Sequence, residues 1–206
     1  VTGQKFSLGE FVKASLYLSD LNQAKEWLDK KDVKINIEKP EPTLDEPKIF
    51  PIEWMENLVP DHSYWIGRGI SEGVLGEFKG GAWTKETMFK DYYVFPVFDC
   101  QNKLVGLAGR NINPNSLKPK WKLKGEKKYW KYPLFLNHQR LKNDKKVLLV
   151  ESIGNCLALW EAGYKNIVVM FGVDISFELI NYFLKFDIHN IIISTDNDKK
   201  AGIEAS

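Results

Sequence analysis

Three carboxylates in the last third of the chain have the spacing of a metal site. Glu151 directly follows the apolar run 147–150, and Asp196 and Asp198 directly follow a later apolar run. Carboxylates two residues apart lie on the same side of an extended backbone, and clustered carboxylate oxygens suit Mg²⁺ or Mn²⁺. Because unpaired carboxylates at close range repel each other, a bound divalent cation accounts for the cluster. The alternative is that the two aspartates only cap a helix that begins near Ala201.

Alternating strands and helices around these carboxylates predict where they meet. Apolar runs and helical periodicity predict strand 147–150, helix 155–162 ended by Gly163, strand 166–171, helix 177–184 capped by Ser176, and strand 190–195. Right-handed crossovers make such strands parallel, with helices on both faces of the sheet. Sites in such α/β folds lie at the carboxyl ends of the strands. The pattern therefore predicts one crevice that receives all three carboxylates.

A strongly basic stretch precedes this region. Residues 118–146 hold eleven lysines and arginines against two acidic residues, so the stretch carries +9 while the rest of the chain carries −7. A polyanion is the expected partner, because each neutralised phosphate releases condensed counterions. Four aromatic residues between the lysines offer stacking faces that suit a single strand, namely Trp121, Tyr129, Trp130 and Tyr132. The alternative is a solvated lysine-rich surface.

Arg110 stands at the end of another predicted strand. Two β-rich apolar runs, 92–99 and 104–110, flank a short polar turn and predict a hairpin. Arg110 follows Gly109, and a glycine lets a ligand approach the backbone, so a phosphate contact is one interpretation. A surface arginine paired with an acid is the other, and position alone does not decide between them.

The amino-terminal part is predicted to contain helices and a linker. Apolar spacing over 8–29 indicates one or two amphipathic helices, the second capped by Ser19 or Asp20. Residues 39–51 contain four prolines, which exclude a regular helix or a central strand, so a linker is expected. Farther along the chain, Ser71 has the position of a helix cap.

Composition excludes several classes of protein. The chain has 206 residues, 44% hydrophobic and 27% charged, the balance of a folded protein with one large or two small domains. It has no apolar run of about 18 residues and no signal-peptide pattern, so we expect a cytoplasmic protein with no membrane contact. Its two cysteines, Cys100 and Cys156, are too few for a zinc site or a disulfide framework and are expected in the core.

The last 61 residues, 146–206, resemble the TOPRIM domain shared by primases, topoisomerases and some nucleases. The resemblance is carried by the order strand, glutamate, helix, strand, helix, strand and Asp-x-Asp-x-x-Ala-Gly. In that family the glutamate and the Asp-x-Asp pair bind the catalytic metals, which implies those roles for Glu151, Asp196 and Asp198. Primases commonly have an aspartate where this chain has Asn155, whose amide oxygen can still ligate but carries no charge.

The preceding part resembles the RNA polymerase core of bacterial and phage (DnaG-type) DNA primases. Ordered fragments carry this resemblance, namely Arg68-Gly69-Ile70-Ser71-Glu72, Phe95-Pro96-Val97-Phe98-Asp99, Gly106-Leu107-Ala108-Gly109-Arg110, the lysine-aromatic stretch, and Leu134-Phe135-Leu136-Asn137. The resemblance implies contacts to nucleotide phosphates or the template from Arg110, Lys118, Lys120, Lys127 and Lys131. It implies accessory roles for Arg68 and Asn155.

The expected protein is an α/β chain in three parts. Residues 1–45 are a helical segment and linker resembling the tail that follows a primase zinc ribbon, and 46–146 are a mixed α+β subdomain. Residues 147–206 are a TOPRIM domain with a parallel sheet, and we expect the natural protein to extend beyond both ends of the chain.

The resemblances imply a magnesium- or manganese-dependent enzyme. It would make short RNA primers on single-stranded DNA from ribonucleoside triphosphates, alongside a replicative helicase. Two alternatives stay open. One is a TOPRIM nuclease or topoisomerase-like enzyme that cleaves phosphodiesters, and the other is a nucleic-acid-binding module without activity.

Overall fold

The computed structural model describes residues 19–23, 26 and 46–195. The chain divides into two units, 1–45 and 46–206, and the sheets below belong to the second. Among the described residues, no helix is both long enough and apolar enough to cross a membrane.

Asp20 caps a helical turn in the first unit. Its carboxylate accepts hydrogen bonds from the backbone N–H groups of Asn22 and Gln23, at 2.7 and 3.0 Å. This confirms Asp20 as a helix cap. The remainder of the helices predicted over 8–29, and residues 39–45 of the linker predicted over 39–51, lie outside the described residues.

An antiparallel sheet forms the first layer of the second unit. Its strands, in spatial order, are β1 (Leu58–Val59), β2 (Gly81–Trp83), β3 (Tyr92–Phe98), β4 (Leu104–Asn111) and β5 (Trp121–Lys124). A 3₁₀ helix (Ile52–Asn57) precedes β1, and helices α1 (Ser63–Ile66) and α2 (Glu72–Glu77) lie between β1 and β2. Ser71 caps α2 as predicted, because its hydroxyl accepts a hydrogen bond from the N–H of Val74 at 3.4 Å.

The predicted hairpin is the centre of this sheet. Strands β3 and β4 pair antiparallel, with Phe95 opposite Ala108. Asp99 stabilises the turn, because its carboxylate accepts hydrogen bonds from the N–H groups of Gln101 and Lys103 at 2.8 and 2.9 Å. Every residue of β3 is buried, since a hydrophobic cluster packs against each face of the sheet.

The predicted β-α-β-α-β order forms a parallel sheet in the spatial order β7-β6-β8. Its elements are β6 (Lys146–Val150), α4 (Ile153–Glu161), β7 (Ile167–Val169), α5 (Phe177–Lys185) and β8 (Asn190–Ser194), preceded by α3 (Leu134–Asp144). Helix α4 packs on one face and α5 on the other, so helices cover both faces as predicted. Helix α3, which was not predicted, packs on the same face as α5. Ser176 caps α5, also as predicted.

Two boundaries of this region differ from the prediction by two residues, and the others differ by one residue at most. Helix α4 begins at Ile153, two residues early, because the Ser152 hydroxyl accepts a hydrogen bond from the N–H of Asn155 at 3.4 Å. Strand β7 ends at Val169 rather than at 171. Phe171 has a φ of 58°, a left-handed conformation that an extended strand does not contain.

Burial corrects the predictions for two aromatic residues, and exposure corrects the prediction for one cysteine. Trp130 and Tyr132 are 2% and 0% exposed, and the Trp130 ring lies 4.8 Å from that of Phe171. The Tyr132 carbonyl accepts a hydrogen bond from a backbone N–H of β7 at 2.8 Å, so this segment covers the outer edge of that strand. Both rings are therefore core side chains and not stacking faces. Cys156 is buried as predicted, whereas Cys100 is exposed in the hairpin turn.

Candidate active site at the carboxyl end of the parallel sheet

Glu151 is the first residue beyond β6, at the carboxyl end of the parallel sheet. It is half-buried, and its backbone carbonyl accepts a hydrogen bond from the N–H of Gly172, in the loop after β7, at 3.3 Å. Its carboxylate has no hydrogen-bond or ion-pair partner within the part of the chain that the structure describes. Both carboxylate oxygens therefore keep their capacity to bind a cation.

Strand β8 brings the chain to the same end of the sheet. Ser194 pairs with Val150 in parallel register, so β6 and β8 end at the same level. Asp196 and Asp198 lie outside the described residues. Over 19–23, 26 and 46–195 no three acidic, histidine or cysteine side chains form a metal-binding group. The three-carboxylate site stays a prediction.

Asn155 belongs to the first turn of α4. The Ser152 hydroxyl donates a hydrogen bond to its side-chain oxygen, and the same hydroxyl accepts one from its backbone N–H. The oxygen that would ligate a cation is thus engaged with the cap of its own helix. The accessory role of Asn155 remains a prediction.

Lys127 reaches the carboxyl end of the parallel sheet from the basic stretch. Its Nζ donates a hydrogen bond to the Phe171 carbonyl at 3.4 Å and lies 3.6 Å from where a Cβ on Gly172 would stand. Gly172 is the residue that donates to the backbone of Glu151. An exposed ammonium thus lies over the loop that adjoins the carboxylate, where it can contact a phosphate.

Arg110 is the next-to-last residue of β4 and is half-buried. Its Nε donates a hydrogen bond to the Tyr64 hydroxyl at 2.9 Å, and its guanidinium carbon lies 5.6 Å from the centre of the Trp121 ring. None of the ion pairs among the described residues involves Arg110. The guanidinium is therefore held by aromatic side chains, and the acid-paired alternative is not what these residues show.

Gly109 does not open the backbone to a ligand. A Cβ added to Gly109 would lie 2.7 Å from the Phe89 ring and 3.0 Å from the Tyr92 ring. These buried rings fill the space beside the glycine. The small size of Gly109 therefore serves packing, and the predicted ligand approach at this position is wrong.

The basic stretch is distributed over several surfaces. Lys118 is ion-paired with Asp91 at 2.8 Å. Lys122 donates a hydrogen bond to the Met88 carbonyl at 3.2 Å. Alternate residues of a strand point to opposite faces, so Lys122 lies on the other face of β5 from Trp121. Trp121 and Lys122 therefore do not form a joint stacking and phosphate-binding face on this strand.

The remaining predicted lysines differ in exposure. Lys120 is exposed and Lys131 is half-buried. Near the end of the stretch, Lys142 Nζ lies 4.2 Å from the centre of the Phe186 ring, and Lys145 donates a hydrogen bond to the Phe186 carbonyl at 2.7 Å. Those two lysines stabilise the junction between α3 and the end of α5. Within the predicted set, Lys120 and Lys127 are exposed and form no ion pair among the described residues.

Tyr64 was not identified from the sequence. It precedes Arg68 by four residues, the spacing of one helical turn, and the Arg68 guanidinium carbon lies 4.6 Å from the centre of its ring. This four-residue spacing is the signal from which the contact between Tyr64 and Arg68 could have been predicted. The contact between Tyr64 and Arg110 spans 46 residues and has no local signal.

Residues 148–206 match the family described as Toprim-like. The DNA primase of Borreliella burgdorferi is 27% identical over 154 residues, which are 70% of this chain and 28% of that protein. The DNA primase of Clostridium acetobutylicum is 29% identical over 114 residues, which are 53% of this chain and 19% of that protein. The chain thus spans less than a third of the length of these curated relatives.

Solved structures show the same fold. The DnaG primase catalytic domain bound to single-stranded DNA has a TM-score of 0.62 at 20% identity, over 71% of this chain and 56% of that chain. The Aquifex aeolicus primase, comprising zinc-binding and RNA polymerase domains, has a TM-score of 0.62 at 20% identity, over 96% and 59% of the two chains.

The carboxyl-terminal part of this chain is similar to a Toprim-like domain. Together with the antiparallel sheet before it, that part gives the chain the fold of a DnaG primase catalytic core. Proteins of this kind use divalent metals. The described part of the site fits such an ion, because the Glu151 carboxylate at the sheet end has no partner among the described residues.

Proposed function

We propose that this chain is part of the catalytic core of a DNA primase, a nucleotidyltransferase that makes short RNA primers on single-stranded DNA. Residues 46–146 would be the basic subdomain and 147–206 the TOPRIM domain. One observation carries the proposal, namely that the antiparallel and parallel sheets share one hydrophobic core in a primase-like fold. The primase relatives add support from sequence.

The acidic residues at the end of the parallel sheet would hold Mg²⁺ or Mn²⁺. We assign this role to Glu151, Asp196 and Asp198, because β6 and β8 end at the same level. When bound, such ions stabilise charge on the attacking and leaving oxygens of a phosphoryl transfer. The alternative role for Glu151 is that of the general base, which accepts the proton of the attacking hydroxyl.

The cationic residues would bind and orient the triphosphate and the template. Arg110 offers two terminal amino groups to a phosphate, and Lys127 adds a charge over the loop beside Glu151. Lys120 would contact the template phosphates from its exposed position. Lys118 and Lys131 are assigned to the same class of contact, and Lys118 would first have to leave Asp91.

The proposed partners follow from the reaction. They are single-stranded DNA, ribonucleoside triphosphates and a replicative helicase. We also propose a cytoplasmic location.

The proposal is tested by incubating the protein with Mg²⁺, labelled ribonucleotides and single-stranded templates of varied sequence. We expect short RNA whose synthesis depends on the template. The Asp196→Ala variant should make none, because it lacks one proposed metal ligand, whereas Glu53→Gln changes an exposed carboxylate outside the site and should retain activity.

Two other outcomes would support the alternative functions. Shortening of the DNA template in the presence of Mg²⁺ would indicate a phosphodiester-cleaving enzyme. Binding of single-stranded DNA without RNA synthesis or cleavage would indicate a non-catalytic module.

A further inference from the structure

Tyr64 lies between two arginines. Its hydroxyl accepts a hydrogen bond from Arg110 Nε at 2.9 Å, and the Arg68 guanidinium carbon lies 4.6 Å from the centre of its ring. No ion pair among the described residues involves either arginine. One aromatic side chain therefore organises two cations.

A phenol orients a guanidinium without neutralising it. A carboxylate in the place of Tyr64 would bind Arg110 more tightly but would compensate the charge that an anion needs. A tyrosine hydroxyl accepts the Nε hydrogen bond as a neutral group. Arg68 gains a cation–π contact on the same ring, which also leaves its charge in place.

The hydrogen bond to Tyr64 determines which edge of Arg110 remains available. Arginine has five N–H donors, one on Nε and four on the two terminal nitrogens. Because Nε is hydrogen-bonded to Tyr64, a ligand approaches the guanidinium from its end and contacts the two terminal nitrogens. The Trp121 ring, 5.6 Å from the guanidinium carbon, contacts the same group and restricts its rotation.

The helix that carries Tyr64 packs beside the end of β6. The next residue, Trp65, has ring atoms 3.8 and 3.9 Å from where a Cβ on Gly154 would stand. Gly154 is in the first turn of α4, three residues after Glu151. Helix α1 is therefore anchored to the element that follows the candidate metal ligand.

We propose that Tyr64 is a positioning residue that fixes Arg110 for end-on contact with a phosphate of the triphosphate substrate. Arg68, on the Tyr64 ring, supplies a second charge to the same anion. This inference rests on the proposed function for the identity of the substrate, but the anion binding can be measured without catalysis.

The test is a double-mutant cycle read out by binding of inorganic triphosphate, measured by calorimetry. Tyr64→Phe removes only the hydroxyl, and Arg110→Lys keeps the charge but removes the Nε donor. Each single variant should weaken binding about tenfold, the effect of losing a hydrogen bond to a charged group. In the Arg110→Lys background, Tyr64→Phe should change the affinity less than about twofold, because its partner is already gone.

Controls separate positioning from folding. The melting temperature of Tyr64→Phe should equal that of the parent, and Tyr164→Phe, at a tyrosine that is 63% exposed, should bind triphosphate normally. Tyr64→Leu removes the ring as well and should weaken binding beyond Tyr64→Phe by releasing Arg68. In primer synthesis, Tyr64→Phe should raise the ribonucleotide KM more than it lowers kcat.

Specific results would overturn the inference. One is an unchanged triphosphate affinity in Tyr64→Phe. The other is an equal loss of affinity when Tyr64→Phe is introduced into the parent and into Arg110→Lys. Coupling in the binding cycle without primer synthesis would uphold the positioning role and reject the primase function. Primer synthesis together with additive effects of the two substitutions on triphosphate binding would uphold the primase function and reject the positioning role.

Discussion

The Glu161 carboxylate accepts two hydrogen bonds from Ser71, one from its backbone N–H and one from its hydroxyl, each 2.8 Å long. Ser71 caps α2 and Glu161 ends α4, so this contact joins a helix before β2 of the antiparallel sheet to a helix of the parallel sheet. A second contact, from Trp160 Nε1 to the Glu77 carboxylate at 3.0 Å, joins the same two helices. Together these bonds hold the two sheets in one arrangement.

The contact with Ser71 predicts a pH-dependent stability. The hydrogen bonds from the Ser71 backbone and hydroxyl lower the pKa of Glu161 below its ordinary value. A lowered pKa stabilises the folded state above the unfolded pKa, about 4.3, and this stabilisation is lost as the pH falls through the folded pKa. Glu161→Gln should therefore melt below the parent at pH 7, and the two should converge in acid.

Melting curves from pH 3 to 7 measure this convergence. Glu53→Gln, which changes an exposed carboxylate in the 3₁₀ helix, is the control and should follow the parent throughout. A constant difference between Glu161→Gln and the parent at every pH would show that the charge of Glu161 has no part in the contact.

The proposed metal site predicts a matched effect of three substitutions. Asp196→Ala, Asp198→Ala and Glu151→Gln should each weaken Mn²⁺ binding by at least about tenfold, because each removes an anionic ligand. Melting temperatures without metal should not fall, because removing one of several carboxylates reduces the electrostatic repulsion in the folded state. Calorimetric titration with Mn²⁺ measures the affinity. Unchanged affinity in all three variants would reject the site.

The distribution of lysines predicts which of them bind single-stranded DNA. Plots of log affinity against log salt have a slope of about −0.7 per phosphate contact for single strands. Replacing exposed Lys120 and Lys127 together with alanine should flatten the slope by about 1.4. Replacing Lys142 and Lys185, which lie 4.2 and 5.6 Å from the Phe186 ring, should leave it unchanged. Equal slopes for the parent and both double variants would exclude this assignment.

The parts of the fold that the sequence predicted depend on local signals. Ser71 and Ser176 cap helices because a hydroxyl just before an apolar helical run satisfies a free N–H. The hairpin and the parallel sheet followed from apolar runs, a polar turn and the handedness of crossovers. These features need no knowledge of distant residues.

The parts that were missed depend on contacts between distant residues. Trp130 and Tyr132 stand among lysines, and only the passage of their segment along the edge of β7 makes them core residues. Strands β1 and β2 are two and three residues long, too short for a periodic pattern. The hydrogen bond between Tyr64 and Arg110 likewise requires the folded sheet. Of the three carboxylates, only Glu151 is among the described residues, so the complete metal site remains a prediction.

Replacing Gly106 and Gly73 with alanine should change the free energy of unfolding in opposite directions. A Cβ on Gly106, in β4, would overlap the indole ring of Trp130, which is 2% exposed and donates a hydrogen bond to the Val105 carbonyl. Because the ring has no room to move, Gly106→Ala should lower the free energy of unfolding by about 1–3 kcal/mol through overpacking. Gly73, in α2, has no atom within 4 Å of its added Cβ, so Gly73→Ala should raise it by about 0.5–1 kcal/mol.

Urea denaturation of both variants measures these changes, and a second-site substitution tests their cause. Trp130→Phe removes the part of the ring that the Gly106→Ala methyl would strike. Trp130→Phe alone should destabilise the protein by opening a cavity, but adding Gly106→Ala to it should then cost less than in the parent, because the methyl enters vacated space. Equal costs of Gly106→Ala in both backgrounds would show that Trp130 is not the reason that β4 carries a glycine at this position.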